Sequence, residues 1–245
     1  MSRYKLLSTK KLPDSLKEEA KQKGIDVLEQ EFIEIHPIHT KEKHEEVLQL
    51  ILHSDPIAVV FTSKNGVINT FKHLHSYDTY YVPGQWKIFC LEGATKDAVD
   101  EQTFLGDQIV DTAADAASLA KKIITNANIK KVVFFCGNKR RDELPNLLRE
   151  NNIEVNEVVV YETIETPVVT TQHLDAVLFF SPSGVKSFFS ANSLDKKTIC
   201  FAIGATTAEA ITDYTGNRII TSEQPSPEMM MASVWFYFQN INCYE

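Results

Sequence analysis

AVLFFSPSGVKSFF, Ala176 to Phe189, decides how this chain is read, because AVVFTSKNGVINTF, Ala58 to Phe71, is an earlier echo of it. In each, a short apolar run ends in phenylalanine and a serine follows, as Phe61-Thr62-Ser63 and as Phe180-Ser181. A glycine stands three residues beyond the serine, Gly66 or Gly184, and an amphipathic segment comes next. Each stretch predicts a buried strand that turns sharply into a helix, with the serine at the helix N-cap. Hydroxyls and the first unpaired helix N–H groups then collect at the strand's carboxyl end, where an anion is readily held. Two copies 118 residues apart, Ser63 to Ser181, imply two similar lobes.

Outward from these stretches, strand and helix alternate. Strands are expected at 4–9, 25–28, 57–62, 86–91, 131–136, 154–161, 176–180 and 198–203, with short ones near Ile109–Val110 and at 218–220. Helical patterns fall between them; Asp115 caps one, and Ser226-Pro227-Glu228 opens the last. Glu162 to Pro167 reads as an extended linker. This alternation predicts an α/β fold with parallel sheets covered on both faces. A self-contained lobe wants about five strands. The chain after Pro167 supplies three and the chain before Pro37 supplies two. The expected domains are therefore a discontinuous lobe, residues 1–36 plus 166–245, and an inserted lobe, residues 37–165, joined by a two-stranded hinge.

Composition narrows the classes. The 245 residues allow one large or two small domains, and 43% hydrophobic with 24% charged residues is ordinary for a soluble globular protein. A net charge of -8 gives no electrostatic case for nucleic acid. MSRYKLLSTKKLP has no apolar core of a secretory signal. The longest nearly apolar stretch, Met229 to Phe238, is ten residues, about half a membrane span. A cytoplasmic protein with no membrane or nucleic-acid partner is expected. Cys90, Cys136 and Cys200 end apolar runs, and with Cys243 they make no CxxC pair, so they read as reduced, buried thiols. His36, His39, His73 and His75 have no ligand partners at metal spacing and read as solvated surface residues, so no metal site is expected.

The distinctive turns all fall at strand carboxyl ends: Thr62-Ser63-Lys64-Asn65, Glu92-Gly93-Ala94-Thr95, Cys136-Gly137-Asn138-Lys139-Arg140, Ser181-Pro182-Ser183-Gly184 and Gly204-Ala205-Thr206-Thr207. Ligands of open α/β sheets bind at that edge, and two facing lobes would line one cleft with all five. Helix capping alone explains any single hydroxyl here. As a set they offer hydroxyls, backbone N–H groups and three cations, Lys64, Lys139 and Arg140, with one carboxylate, Glu92, and no histidine. A large anionic ligand is the expectation. Neither G-x-G-x-x-G nor a Walker pattern occurs, which disfavours dinucleotides and nucleoside triphosphates.

FTSKNGV (61–67), GATKDAV (93–99), VVFFCGNKRRDELPNLL (132–148), EVVVYET (157–163), LFFSPSG (178–184), FAIGATTAEAI (201–211) and SEQPSPEMM (222–230) follow in an order and spacing that resembles the uroporphyrinogen-III synthase family. The resemblance implies two flavodoxin-like lobes forming a monomeric, cofactor-free enzyme. Its substrate would be hydroxymethylbilane, a linear tetrapyrrole, cyclised with loss of water and inversion of ring D to uroporphyrinogen III. It also implies that Thr62, Ser63, Lys64, Thr95, Cys136, Gly137, Asn138, Lys139, Ser181, Pro182, Ser183, Gly184, Gly204, Thr206 and Thr207 bind substrate. Tyr161, matching a tyrosine of the family's cleft, would donate a hydrogen bond to the leaving oxygen. One departure is Glu92, where the family's first GxxT turn usually has the glycine that the second copy keeps as Gly204. Two other readings stay open: a two-lobed protein that binds an anionic ligand without chemistry, and a phosphosugar or nucleotide enzyme of flavodoxin-like build.

Overall fold

A computed structural model describes residues 3–51, 56–75, 86–102 and 108–240. The first part of the chain carries β1 (Tyr4–Ser8), α1 (Asp14–Gln22), β2 (Ile25–Glu29), β3 (Ile33–Pro37) and α2 (Lys41–Ile51). Then come β4 (Ile57–Phe61), α3 (Lys64–His75), β5 (Trp86–Leu91), α4 (Ala94–Asp100), β6 (Ile109–Ala113), α5 (Ala116–Thr125), β7 (Lys131–Gly137), α6 (Glu143–Glu150) and β8 (Glu154–Glu165). The last part carries β9 (Ala176–Phe179), α7 (Pro182–Ala191), β10 (Ile199–Ala202), α8 (Ala205–Thr212), β11 (Ile219–Thr221) and α9 (Pro227–Asn240).

These elements make two compact units, Met1–Glu34 with Ile164–Glu245, and Ile35–Thr163. The first holds a five-stranded sheet in the order β11-β10-β9-β1-β2, every neighbouring pair parallel. That is the flavodoxin order. The second holds a six-stranded sheet, β3-β8-β7-β4-β5-β6. Its pairs from β8 through β6 are parallel. Leaving β3 aside, β6, β5, β4, β7 and β8 stand where β11, β10, β9, β1 and β2 stand in the first unit. The arrangement is the same and the chain order is permuted, since the two strands that open the first unit correspond to the two that close the second. The echoed stretches supply the middle strands, β4 and β9.

Period-2 alternation builds the cores. Val59, Phe61, Val133 and Phe135 face one side of the second sheet, against Val67 and Phe71 of α3. Val60 and Phe134 face the other, against Leu119 and Ile123 of α5 and Leu144 of α6. Middle strands buried on both faces read as unbroken apolar runs, which is why IAVVF and AVLF carry no polar residue. Each fully buried phenylalanine, such as Phe61, Phe134 or Phe179, contributes roughly 1.5–3 kcal/mol of burial free energy.

Three local expectations are corrected. Glu162 to Glu165 is not a linker but the continuation of β8, with the Thr163 N–H bonded to Asn138 Oδ1 at 2.9 Å. His73 is not solvated: it is 1% exposed, its ring stacked on His39 at 5.5 Å and tilted against His44 at 5.4 Å. Its position on α3 turns it toward the core side, and its neighbours come from elsewhere in the sequence. Arg140 is drawn into ion pairs, as described below. Cys90, Cys136 and Cys200 are free and buried, while Cys243 lies outside the described residues. Among the described residues, no helix is long and apolar enough to cross a membrane.

Candidate active site

In the Ile35–Thr163 unit, three of the predicted turns meet at one sheet edge. Ser63 follows β4 and caps α3, its Oγ accepting the Gly66 N–H at 3.0 Å. Thr62 and Ser63 are half-buried and Lys64 is exposed on the first turn of α3. A cation there opposes the helix dipole, so Lys64 serves the helix less well than it would serve an anion. Cys136 and Gly137 end β7, and Asn138 and Lys139 follow, exposed.

Tyr161 is aimed into this edge by a register break. Cys136 pairs with Val159, but Gly137 pairs with Tyr161, so Val160 is an extra residue in β8. Such a bulge re-aims the side chain that follows it. Alternation would send Tyr161 and Val160 to opposite faces; instead both join the cluster of Phe61 and Val67. The ring then lies directly over Gly137, where a β-carbon would come within 2.4 Å of Tyr161 Cζ. Glycine is required here for space. The phenol oxygen ends 3.1 Å from Ser63 Oγ. Burial pushes the Tyr161 pKa up, the Ser63 hydrogen bond pulls it down, and the nearby Cys136 adds a further rise. The net shift is upward, so the phenol keeps its proton at neutral pH.

The remaining groups at this edge are weak acids or committed cations. Cys136 is pushed up to about 12, chiefly by burial and then by Glu157, so it is a packed thiol rather than a nucleophile. Arg140 is held by Glu157 and Asp142, and Glu157 also binds Arg149 at 2.6 Å. The basic run at 139–141 does not, therefore, offer Arg140 to a ligand. Thr95 lies beyond β5, 6% exposed, beside the exposed Glu92.

The other unit carries an edge of the same build. Ser181 caps α7, accepting the Gly184 N–H at 3.1 Å, with Pro182 opening the helix and Ser183 half-buried. Gly204 caps α8, Thr206 is half-buried, and Thr207 is 2% exposed with its N–H returned to the Gly204 carbonyl at 3.1 Å. Thr206 is thus the hydroxyl at the surface, and Thr207, like Thr95, is mainly packed.

The permutation exposes residues that motif reading missed. Ser8 pairs with Leu178 just as Phe134 pairs with Val60, so Thr9, Lys10 and Lys11 stand where Phe135, Cys136 and Gly137 stand in the other unit. Thr9 is buried, its hydroxyl on the Leu178 carbonyl at 2.9 Å, while Lys10 Nζ lies 5.8 Å from the Phe180 ring, beside the Ser181 cap. The signal was present: Leu12-Pro13-Asp14-Ser15-Leu16 repeats Leu144-Pro145-Asn146-Leu147-Leu148. Among the described residues, no group of three or more His, Cys, Asp or Glu side chains could hold a metal ion.

Parallel sheets whose carboxyl edges present capped helix ends, hydroxyls and lysines define an α/β protein of the open-sheet class, in which that edge is the usual ligand-binding side. The comparisons sharpen this class. A family model described as uroporphyrinogen-III synthase HemD matches residues 14–232, and the chain belongs to the uroporphyrinogen-III synthase family. It is 28% identical over 234 residues to a porphyrin biosynthesis protein HemD of Ruminiclostridium josui, covering 89% of this chain and 45% of that protein. The chain thus spans about half the length of that curated relative. A mutant uroporphyrinogen III synthase of Thermus thermophilus shares the fold with a TM-score of 0.71 at 14% identity, covering 98% of this chain and 99% of that one. The Helicobacter pylori uroporphyrinogen-III synthetase gives 0.63 at 16% identity, covering 96% and 99%.

Proposed function

We propose that this chain is a cofactor-free hydro-lyase that closes hydroxymethylbilane to uroporphyrinogen III. The observation that carries the reading is Tyr161: a protonated phenol, set by a bulge over a glycine and hydrogen-bonded to Ser63, at an edge of helix N-termini and hydroxyls. In the reaction the terminal C–O bond breaks and its electron pair leaves with the oxygen, while a pyrrole nitrogen lone pair stabilises the resulting azafulvene cation. Tyr161 donates a hydrogen bond to the departing oxygen. Ring D then attacks through its substituted carbon, and the spiro intermediate breaks its bond to the neighbouring bridge carbon. The ring recloses inverted through its free α-carbon, whose released proton balances the one the departing hydroxide takes up as water. The pyrroles supply the electrons throughout, so the protein's task is placement and exclusion of the uninverted closure. An edge with a thiol pushed up to about 12 and an ion-paired Arg140 suits that task.

At the edge of the Ile35–Thr163 unit, substrate carboxylates would be met by the N-terminus of α3, by Lys64 and by Lys139; the edge of the other unit, taken by itself, offers the N-termini of α7 and α8 and Lys10 for the same chemistry. Buried free thiols at Cys90, Cys136 and Cys200 agree with a reducing compartment such as the cytoplasm. The test is product-isomer analysis after incubation with freshly prepared hydroxymethylbilane. Isomer III is expected in excess over the isomer that forms without enzyme. Tight binding of the substrate with no gain in isomer III would instead make the chain a binding protein for linear tetrapyrroles.

A further inference from the structure

We infer that Ser63 acts through Tyr161, as a positioning residue that donates its hydroxyl proton to the phenol oxygen and so turns the phenol's own proton outward to the ligand. The inference rests on the proposed role of Tyr161 as hydrogen-bond donor to the leaving oxygen, and it changes the part expected of Ser63, which the resemblance made a residue that binds substrate.

A serine hydroxyl has one proton and two acceptor sites. One acceptor site of Ser63 is taken by the Gly66 N–H at 3.0 Å, which fixes the oxygen in the cap of α3. The phenol oxygen lies 3.1 Å away. Either oxygen could donate across that gap, and the two choices have different consequences. If Tyr161 donated, its proton would be consumed inside the protein and the Ser63 proton would face no described acceptor. If Ser63 donates, both hydroxyls are used and the phenol keeps a proton for a ligand.

The surroundings leave the pair little room to part. Gly66 is close-packed: a β-carbon there would meet the Phe135 carbonyl at 3.0 Å and Ser63 Oγ at 3.2 Å. The Tyr161 ring rests on Gly137, and the extra Val160 sets its direction. Donation from Ser63 also favours the ionised phenol, opposing the upward push of burial and making Tyr161 the stronger hydrogen-bond donor. Ser181, the matching residue of the other unit, caps its helix at 3.1 Å but bonds to no tyrosine among the described residues.

The experiment follows Tyr161 by NMR of protein labelled with 13C at the tyrosine ζ carbon, its resonance identified by loss in Tyr161→Phe. Ser63→Gly removes the hydroxyl but keeps a residue favoured at the N-cap. It should raise the Tyr161 ionisation midpoint by about 0.5–1 in pH, the effect of losing one hydrogen bond. Its kcat should fall roughly 3- to 30-fold with KM within about twofold, and it should add little in a Tyr161→Phe background. Ser63→Thr should restore the low midpoint, and Gly137→Ala, which displaces the ring, should raise it without touching Ser63. An unmoved midpoint in Ser63→Gly overturns the inference whatever the rate. So does a KM rise of equal size in both backgrounds, which would mean that Ser63 holds the substrate directly. The NMR readout needs no turnover, so it stands apart from the isomer assay that tests the function itself.

Discussion

At the scale of single residues, the role proposed for Tyr161 separates rate from product choice. Tyr161→Phe should lower kcat by roughly 3- to 50-fold, the cost of a hydrogen-bond helper rather than of a full general acid, with isomer III still the product. Stopped assays with isomer separation check both halves, and a wild-type rate would reduce Tyr161 to packing. VVVYET singles this residue out only through the family resemblance, and its geometry was not legible there. The contact with Gly137 depends on a one-residue slip between strands, and no local pattern in either strand encodes it. His73 shows the same limit in reverse. A histidine near a helix end looks solvated, yet here burial, reinforced by charge repulsion from His39 and His44, lowers its pKa from 6.5 to about 4. The folded state therefore disfavours a proton that the unfolded chain binds near 6.5. Stability associated with His73 should be full above pH 6.5, decline as pH falls toward 4, and change little below that. Melting curves of wild type and His73→Leu across this window should differ in slope, with the variant flatter.

At the scale of elements, the helix caps divide into those that only build and those for which binding is also proposed. Asp115 caps α5 through the Ser118 N–H at 2.8 Å and the Ser118 hydroxyl at 2.9 Å, on a helix that carries no residue of the site. Those two bonds hold its carboxyl below the usual range, so its contribution is present at neutral pH and lost as pH falls through that lowered value. Asp115→Ala should lower Tm at neutral pH, have a vanishing effect in acid, and leave KM unchanged. Ser181→Ala should cost about 1 kcal/mol at every pH and, if the first N–H groups of α7 hold a substrate carboxylate as proposed, raise KM as well. Caps of this kind were readable beforehand, since each needs only a hydroxyl or carboxylate before an apolar periodicity. What could not be read was whether a charged neighbour was already engaged. Arg140 sits in a basic run, but its partner Glu157 lies seventeen residues on and reaches it only because β8 runs alongside β7. The continuation of β8 through Glu165 was hidden for a like reason: its polar alternation resembles a linker until Asn138 is seen to bond Thr163.

At the scale of the whole molecule, the alternation of apolar runs and amphipathic segments carried the α/β class and the parallel sheets, while the permuted order of the second sheet needed the strand pairing itself. That pairing makes the two units unequal as fragments. Residues 33–165 contain every strand of the six-stranded sheet and should fold alone, giving α/β circular dichroism and one cooperative melt. Residues 164–240 lack β1 and β2, leaving an open edge at β9, whose Ala176, Val177 and Leu178 are all fully buried in the intact chain. That fragment should aggregate or remain unstructured, and a cooperative melt from it would contradict this account. The same asymmetry bears on synthesis. Leu6 pairs with Ala176, so β1 emerges from the ribosome with β2 for company but waits for the whole inserted unit before its other neighbour exists. Contacts that distant in sequence are slow to form. The inserted unit, once folded, shortens the search by holding its two chain ends in adjacent strands β3 and β8. β1, made well before the inserted unit, is then among the last strands to be completed, and chaperone demand during translation should peak as residues 176–202 leave the exit tunnel.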